Sequence, residues 1–475
     1  MFGNRKLKKL TNFILSQSTA DQIEVLVSAS DFGLTRFANN RIHQNLVRSR
    51  SGVSIRVVVG KKIGVASAES LEKAALQKAL QAALILARSQ QADPDFVSLP
   101  KPARYQVIKS LDQKTADFDP QKRAVKIDSI IKQAKAAKLK AFGALSSGVT
   151  ELAVANSLGV WAYFPSTQAD FSTTVMGDHQ ASGYGSSLNS RVGDLEIGLE
   201  TQKAIQVASQ NAKPKVIKPG NYEVVLAPSA VNEMLVYLAY LGFGARAYHE
   251  DRSFLSGKLK TKVFHKSINI FDDALDARCL PMPFDLEGSA KKRINLIERG
   301  VAKNVVYDSC LAAKYKAKNT GHGLPAPNTL DALATHLHLE AANTSEESAS
   351  ERGVLSLSKN SSKVGLTEPW PSPDQQALIS KVKNGLYISR LWYVNAHHHK
   401  TLTITGLTRD GTFQIKNGQI ASPVVNLRFT QSIVKALNNV LGIGSLAKII
   451  ESWGGANSVP ALHLGEFHFT GVSKL

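Results

Sequence analysis

The sequence predicts an α+β protein in two domains, and three observations carry that reading. Runs with strand periodicity come ahead of helical runs instead of alternating strictly with them. A segment of two prolines and a glycine among lysines, Lys213-Pro-Lys-Val-Ile-Lys-Pro-Gly220, divides the chain; proline lacks the N–H that an element interior needs. The 475 residues also exceed what one hydrophobic core usually serves. The expected arrangement is an N-terminal α/β layered domain over 1–212 and a C-terminal β-rich, barrel-like domain over 213–475.

The elements follow in order. The start is basic, and its apolar stretch is broken by Asn12 and then by Ser16, Gln17 and Ser18, which reads as an amphipathic first helix or a frayed end and not as a secretory signal. Ile23, Val25 and Val27 alternate with polar neighbours, as do Val53, Ile55 and Val57, so residues 22–67 read as strands with a hairpin at Gly60-Lys61-Lys62. Ser70 is placed to cap a helix whose apolar residues, Leu71 to Ala87, recur at helical spacing. Residues 91–120, rich in proline and aspartate, connect to a helix over 122–137. Strands at 140–156 and 160–176 flank the turn Asn156-Ser-Leu-Gly159, and a helix at about 194–210 closes the first domain. Tyr184-Gly185 and the Gly-Ser run around it read as a flexible lip.

Beyond the boundary come a strand at 222–226, a helix from Ser229, and later short β runs at 296–300, 402–405 and 412–418. Thr408-Arg-Asp-Gly411 reads as a hairpin turn, with Asp410 and Gly411 supplying positive φ. Residues 343–373, polar and then proline-bracketed around Trp370, read as a mobile surface loop.

Composition narrows the function classes. An apolar share of 43% with 20% charged residues suits a globular protein with a sizeable core. Two cysteines, Cys279 and Cys310, make at most one disulfide; they read as ordinary buried thiols, and the expected location is the cytoplasm. No run approaches the roughly 18 apolar residues of a membrane span. The net charge of +20 is spread along the chain without an interleaved aromatic ladder, so it reads as a solvated basic surface and nucleic acid is not the expected partner.

The chain has no Gly-x-Ser-x-Gly elbow, no phosphate-cradling loop and no Cys-x-x-Cys pair. His397-His398-His399 is a weak metal candidate: strand neighbours alternate faces, so only His397 and His399 could share an ion, with His265 or His463 completing the set. His336 and His338, also spaced by two, are a lesser candidate, since Leu337 and Leu339 beside them suggest a half-buried helix or strand.

Several segments in a fixed order resemble one family. They include Leu34-Thr-Arg-Phe-Ala-Asn-Asn-Arg-Ile-His-Gln44, Arg252-Ser-Phe-Leu-Ser-Gly257, Phe284-Asp-Leu-Glu-Gly288 and Leu296-Ile-Glu-Arg-Gly300. Later come Leu407-Thr-Arg-Asp-Gly-Thr-Phe413, Asn426-Leu-Arg-Phe429 and Phe469-Thr-Gly-Val-Ser473. Together they resemble the TldD/PmbA family, whose zinc-bearing members carry His-Glu-x-x-x-His on the helix that opens the second domain. At those positions this chain has Asn232, Glu233 and Tyr237, and Trp453 stands near the place of a C-terminal cysteine. Asn and neutral Tyr are poor zinc ligands and Trp is none.

The resemblance therefore implies a PmbA-like (TldE-like) member, a non-catalytic subunit of a peptide-cleaving complex. It implies no cofactor on this chain and zinc on a TldD-like partner, in a heterodimer or, failing that, a homodimer, with peptide as substrate. Glu233, retained from the motif, would cap, pair or face solvent. Two other readings stay open: a self-sufficient peptidase with a rebuilt metal site at His397 and His399, and a binding or scaffold protein using its basic surface.

Overall fold

The computed structural model describes residues 1–342 and 370–473. The loop expected at 343–373 lies outside the described residues as far as 369; Trp370 itself packs on Tyr387 and Phe413, with ring centroids 5.5 and 4.9 Å away.

The N-terminal part runs α1 (Asn4–Ser16), β1 (Gln22–Ala38), β2 (Arg41–Val59), β3 (Lys62–Ala68), α2 (Lys73–Ser89), α3 (Gln113–Ala116), α4 (Pro120–Ala136), β4 (Lys140–Asn156), β5 (Trp161–Met176), β6 (Ser182–Asn189) and α5 (Ile197–Gln210). Its strands form one antiparallel sheet in the order β3-β2-β1-β4-β5-β6. Side chains alternate across a strand, and the two faces have different neighbours. Val25, Val27, Val53 and Ile55 pack under Leu7, Ile14, Leu76 and Leu80 of α1 and α2. Further along the same face, Phe37, Leu145 and Phe171 meet Ile127, Ile130 and Ile131 of α4. The opposite face carries Leu26, Val154, Ala162 and Phe164, which pack on Phe284 from the second half of the chain. The sheet thus lies between its own helices and the C-terminal part.

That second part runs β7 (Gly220–Leu226), α6 (Pro228–Leu241), α7 (Ala245–His249), β8 (Ile268–Asp272), β9 (Ile294–Glu298), β10 (Val301–Ala302), α8 (Ser309–Lys314), β11 (Leu337–Ala341), α9 (Pro373–Ile379), β12 (Asn384–His398), β13 (Thr403–Lys416), β14 (Gln419–Pro423), β15 (Leu427–Ser432), α10 (Ile433–Asn438), β16 (Val440–Ser452) and β17 (Gly455–Val472). The pairings β7-β12-β13-β15-β17 return to β7 and close a ring, with β11, β8, β9 and β10 extending outward from β17. One large core, from Val224 on β7 to Phe469 on β17, fills the ring and its flanks. The fold is α+β, as the strand runs predict. Among the described residues, no helix is long and apolar enough to cross a membrane.

Three local expectations need correction. The helix expected from Ser70 begins at Lys73; the Ser70 hydroxyl accepts from Glu72 N at 3.2 Å and turns the chain ahead of the helix. The Gly-Ser lip is strand β6. Its glycines are there because α5 lies against it: a Cβ on Gly183 would stand 2.1 Å from the Ala204 carbonyl oxygen, and one on Gly185 2.3 Å from that of Glu200. The turn at 408–411 is a bulge inside β13. Asp410 and Gly411 do have φ of 54° and 125°, but the strand continues through them and its register against β12 shifts beside Arg390.

Candidate functional site

The helix α6 starts at Pro228, whose fixed φ suits a first helical position, and it is apolar almost all round: Val231, Met234, Leu235 and Leu238 are buried. A helix enclosed on nearly every side can carry polar groups only where they find partners. Asn232, buried, donates from Nδ2 to the Glu451 carbonyl at 3.2 Å and accepts at Oδ1 from Asn457 Nδ2 at 3.0 Å. Asn457 in turn accepts from Leu337 N at 3.0 Å, so this amide pair ties α6 to β16, β17 and β11. The Tyr237 hydroxyl donates to the Val394 carbonyl on β12 at 2.6 Å. Burial and the neighbouring Glu233 push its phenol upward, so it stays neutral. Trp453 is half exposed in the turn between β16 and β17, edge-on to Tyr240 at 4.9 Å.

Zinc does not fit these three side chains. A catalytic zinc takes three imidazole, thiolate or carboxylate ligands; here one position is an amide spent on backbone and Asn457, one a neutral phenol spent on a carbonyl, and one an indole.

Glu233 faces the seam between the two halves. Burial raises its carboxyl, and Arg390 on β12 works against that rise. Arg390 donates from Nη1 to Asp410 Oδ2 at 3.0 Å, and its guanidinium lies 4.1 Å from the centroid of the Tyr184 ring on β6. The bulge in β13 aims Asp410 at this arginine. On β5, Asp170 is pushed up to about 7 by burial and by Glu451. Asp170 and Tyr184 stand on the sheet face opposite α4 and α5. The result is an acidic seam with the Arg390 guanidinium at its centre, Arg409 also lying 3.9 Å from Asp410, and one carboxyl that can exchange a proton near neutrality. Only Glu233 of this group was visible in the sequence.

The histidine candidates lie elsewhere. His397, His398 and His399 are exposed, and His399 sits in the turn past the end of β12, where strand alternation no longer applies; it lines a small cleft with Tyr240, Arg246 and Arg252. His463 is buried with its Nε2 2.7 Å from Glu223 Oε1, and His265 Nδ1 lies 2.8 Å from Ser267 Oγ. Among the described residues, the group of three potential ligands close enough to share an ion is Asp276, Cys279 and His338. Of these, the sequence presents Cys279 as an ordinary buried thiol and His338 as part of a half-buried helix or strand; in the structure His338 is fully buried on β11.

The family model for the PmbA/TldA metallopeptidase C-terminal domain matches residues 219–471, and that for domain 1 of the same family matches residues 23–87. The chain belongs to the PmbA/TldA metallopeptidase family.

Within it, an uncharacterized protein of Methanocaldococcus jannaschii is 29% identical over 273 residues, 57% of this chain and 63% of that one. A metalloprotease of Methanothermobacter thermautotrophicus is 24% identical over 255 residues, 53% of this chain and 48% of that one. The matched region thus spans about half to three-fifths of these relatives. TldE from Thermococcus kodakarensis has the same fold, with a TM-score of 0.83 at 18% identity over 98% of this chain and all of that one.

Proposed function

We propose that this chain is the non-catalytic subunit of a metalloprotease assembly that cleaves peptides or unfolded segments. Zinc would be held by a TldD-like partner, or a second copy of this chain would fill the partner's place. The observation that carries the reading is the occupation of the motif positions. Asn232, Tyr237 and Trp453 replace the family's zinc donors, and each is engaged in a packing or hydrogen-bonding role. Metal-assisted hydrolysis needs a bound water with a lowered pKa, and these side chains cannot hold the ion that would lower it.

The same seam suits a holding role. Glu233 and Asp170 would meet cationic groups of a peptide, and Arg390, held by the buried Asp410, a carboxylate. Residues 41–52 of β2 have no strand partner on their outer edge among the described residues, since β3 pairs only from Val53 onward. An extended peptide can add to such an edge through its backbone.

The test is a peptide-cleavage assay on the isolated chain and on the chain mixed with a zinc-bearing TldD-like subunit. Cleavage only in the mixture is the expected result. Chelator-sensitive cleavage by the isolated chain, lost on His397→Ala with His399→Ala, overturns the proposal in favour of a rebuilt site.

A further inference from the structure

Asp276, Cys279 and His338 bring a carboxylate oxygen, a thiol sulfur and a ring nitrogen within 4.8 Å of one another, and none of them lies on α6. The local chain explains how. Cys279 N donates to the Asp276 carbonyl at 3.0 Å, closing a tight turn, while the Asp276 carboxylate accepts from Arg278 N at 2.9 Å and from the Arg278 guanidinium. His338 arrives from β11, which pairs with β8 so that His338 stands opposite Phe271, five residues before Asp276. The imidazole stacks on the Phe271 ring at 4.7 Å, and this fixes its plane.

A second observation points to a ligand. His338 is 1% exposed, and among the described residues neither of its ring nitrogens has a hydrogen-bond partner. Asp276 Oδ2 is 4.0 Å from Nδ1, too far for a hydrogen bond. A buried polar group left without a partner is destabilising. The other buried histidines nearby do find partners: His336 Nε2 reaches the Leu280 carbonyl, and His322 Nδ1 the Thr320 carbonyl.

We infer that Asp276, Cys279 and His338 form a binding site for a divalent transition metal of the zinc type. The mixed sulfur, nitrogen and oxygen set suits Zn²⁺ or Co²⁺ and not the all-oxygen shells of Ca²⁺ or Mg²⁺. Ligand bonds of about 2.0–2.3 Å place tetrahedral ligand atoms roughly 3.3–3.8 Å apart, so the three side chains close by about 1 Å on binding. The thiol proton leaves to solvent as the Cys279–metal bond forms. Arg278 already engages both carboxylate oxygens of Asp276, Oδ1 through Nε at 3.0 Å and Oδ2 through Nε at 3.0 Å and Nη2 at 2.6 Å. Metal binding at Oδ2 therefore shares that oxygen with the guanidinium, which becomes the outer partner of the ligating carboxylate. Asp276 is 16% exposed while the other two are buried, so the fourth position opens on its side. Cys279 packs with Leu188 of β6 and Ala456 of β17. A bound ion therefore stiffens the seam between the two halves of the chain.

The test uses the reduced full chain titrated with Co²⁺. One equivalent is expected to give a thiolate-to-cobalt charge-transfer band with the intense visible absorption of a tetrahedral site, and Zn²⁺ is expected to displace it. Cys279→Ser removes the band. His338→Phe, which keeps the stacking on Phe271, weakens binding by about tenfold or more and serves as the check if Cys279→Ser fails to fold. No charge-transfer band in the wild-type chain, or a band that survives Cys279→Ser, overturns the inference. Neither result bears on positions 232, 237 and 453, so the proposed subunit role is judged separately by its peptide assay.

Discussion

Arg56 on β2 donates to Glu287, 231 residues further along the chain, with both its terminal nitrogens at 3.1 Å. The same guanidinium reaches Glu24 on β1 at 2.7 Å, and all three side chains are nearly buried. One arginine thus joins the N-terminal sheet to the Phe284-Asp-Leu-Glu287 segment that packs on it.

Replacing that arginine leaves two buried carboxylates without a counter-charge. Arg56→Ala is expected to lower stability by about 3–5 kcal/mol, read as a fall in the urea midpoint. An unchanged midpoint would mean that the seam is hydrated and its charges are solvated.

The shared arginine also sets a pH dependence. Burial, with Glu287 adding to it, raises the Glu24 carboxyl to about 7 against the pull of Arg56. A carboxyl raised on folding binds its proton more tightly in the folded state, so its contribution is complete below the unfolded pKa of about 4.3 and is lost as pH rises through about 7. Glu24→Gln should therefore gain stability relative to wild type between about pH 5 and pH 8. Parallel thermal melts across that range check it, and a pH-independent difference would mean Glu24 is ionised throughout.

Strand β6 depends on two missing side chains. Gly183→Ala puts a methyl group where the α5 backbone lies, and the overpacking is expected to cost about 1–3 kcal/mol. Gly193→Ala, at a position with nothing within 4 Å of the added carbon, is the matched control. Thermal melts of the two variants should separate clearly.

The Tyr237 hydroxyl is the donor that satisfies the Val394 carbonyl. Tyr237→Phe strands that carbonyl and is expected to cost about 1–3 kcal/mol without changing peptide cleavage by the mixed assembly through metal loss. Reduced zinc content of the mixture with this variant would contradict the structural role given to Tyr237.

How much of this was legible in the sequence differs by element. The pair β4 and β5 could be read almost to the residue, because a turn-forming Asn-Ser-Leu-Gly separates two long β-prone runs, the second of which alternates in burial along most of its length. Strand β6 could not: Gly183 and Gly185 erase the alternation, and the reason for them is the approach of α5, which no local pattern encodes. Asp410 and Gly411 announced positive φ, but a bulge and a turn share that signal, and only pairing with β12 decides between them. The seam was illegible as a site except for Glu233, since Asp170, Tyr184, Arg390 and Asp410 come from four strands and two sheets, and the segment around Asp410 reads as a turn and not as part of a site. His338 reads as part of a half-buried helix or strand and is fully buried on β11; what marks it out is a pair of ring nitrogens with no partner among the described residues, and that is a property of its surroundings.

The ring closed by β7 and β17 has a consequence for synthesis. Strands β1 to β6 are complete once about 190 residues have emerged, and every strand neighbour they need is then present. Strand β7 meets β12 first, but the ring closes only with β17, whose paired residues lie about 240 positions downstream of β7, a delay of roughly 10–50 s at ribosomal rates of about 5–20 residues per second. Throughout that interval a finished first half trails an unsealed second half whose apolar strands have open edges. The nascent chain is most vulnerable to aggregation and proteolysis in that window, and it ends only when β17 clears the exit tunnel.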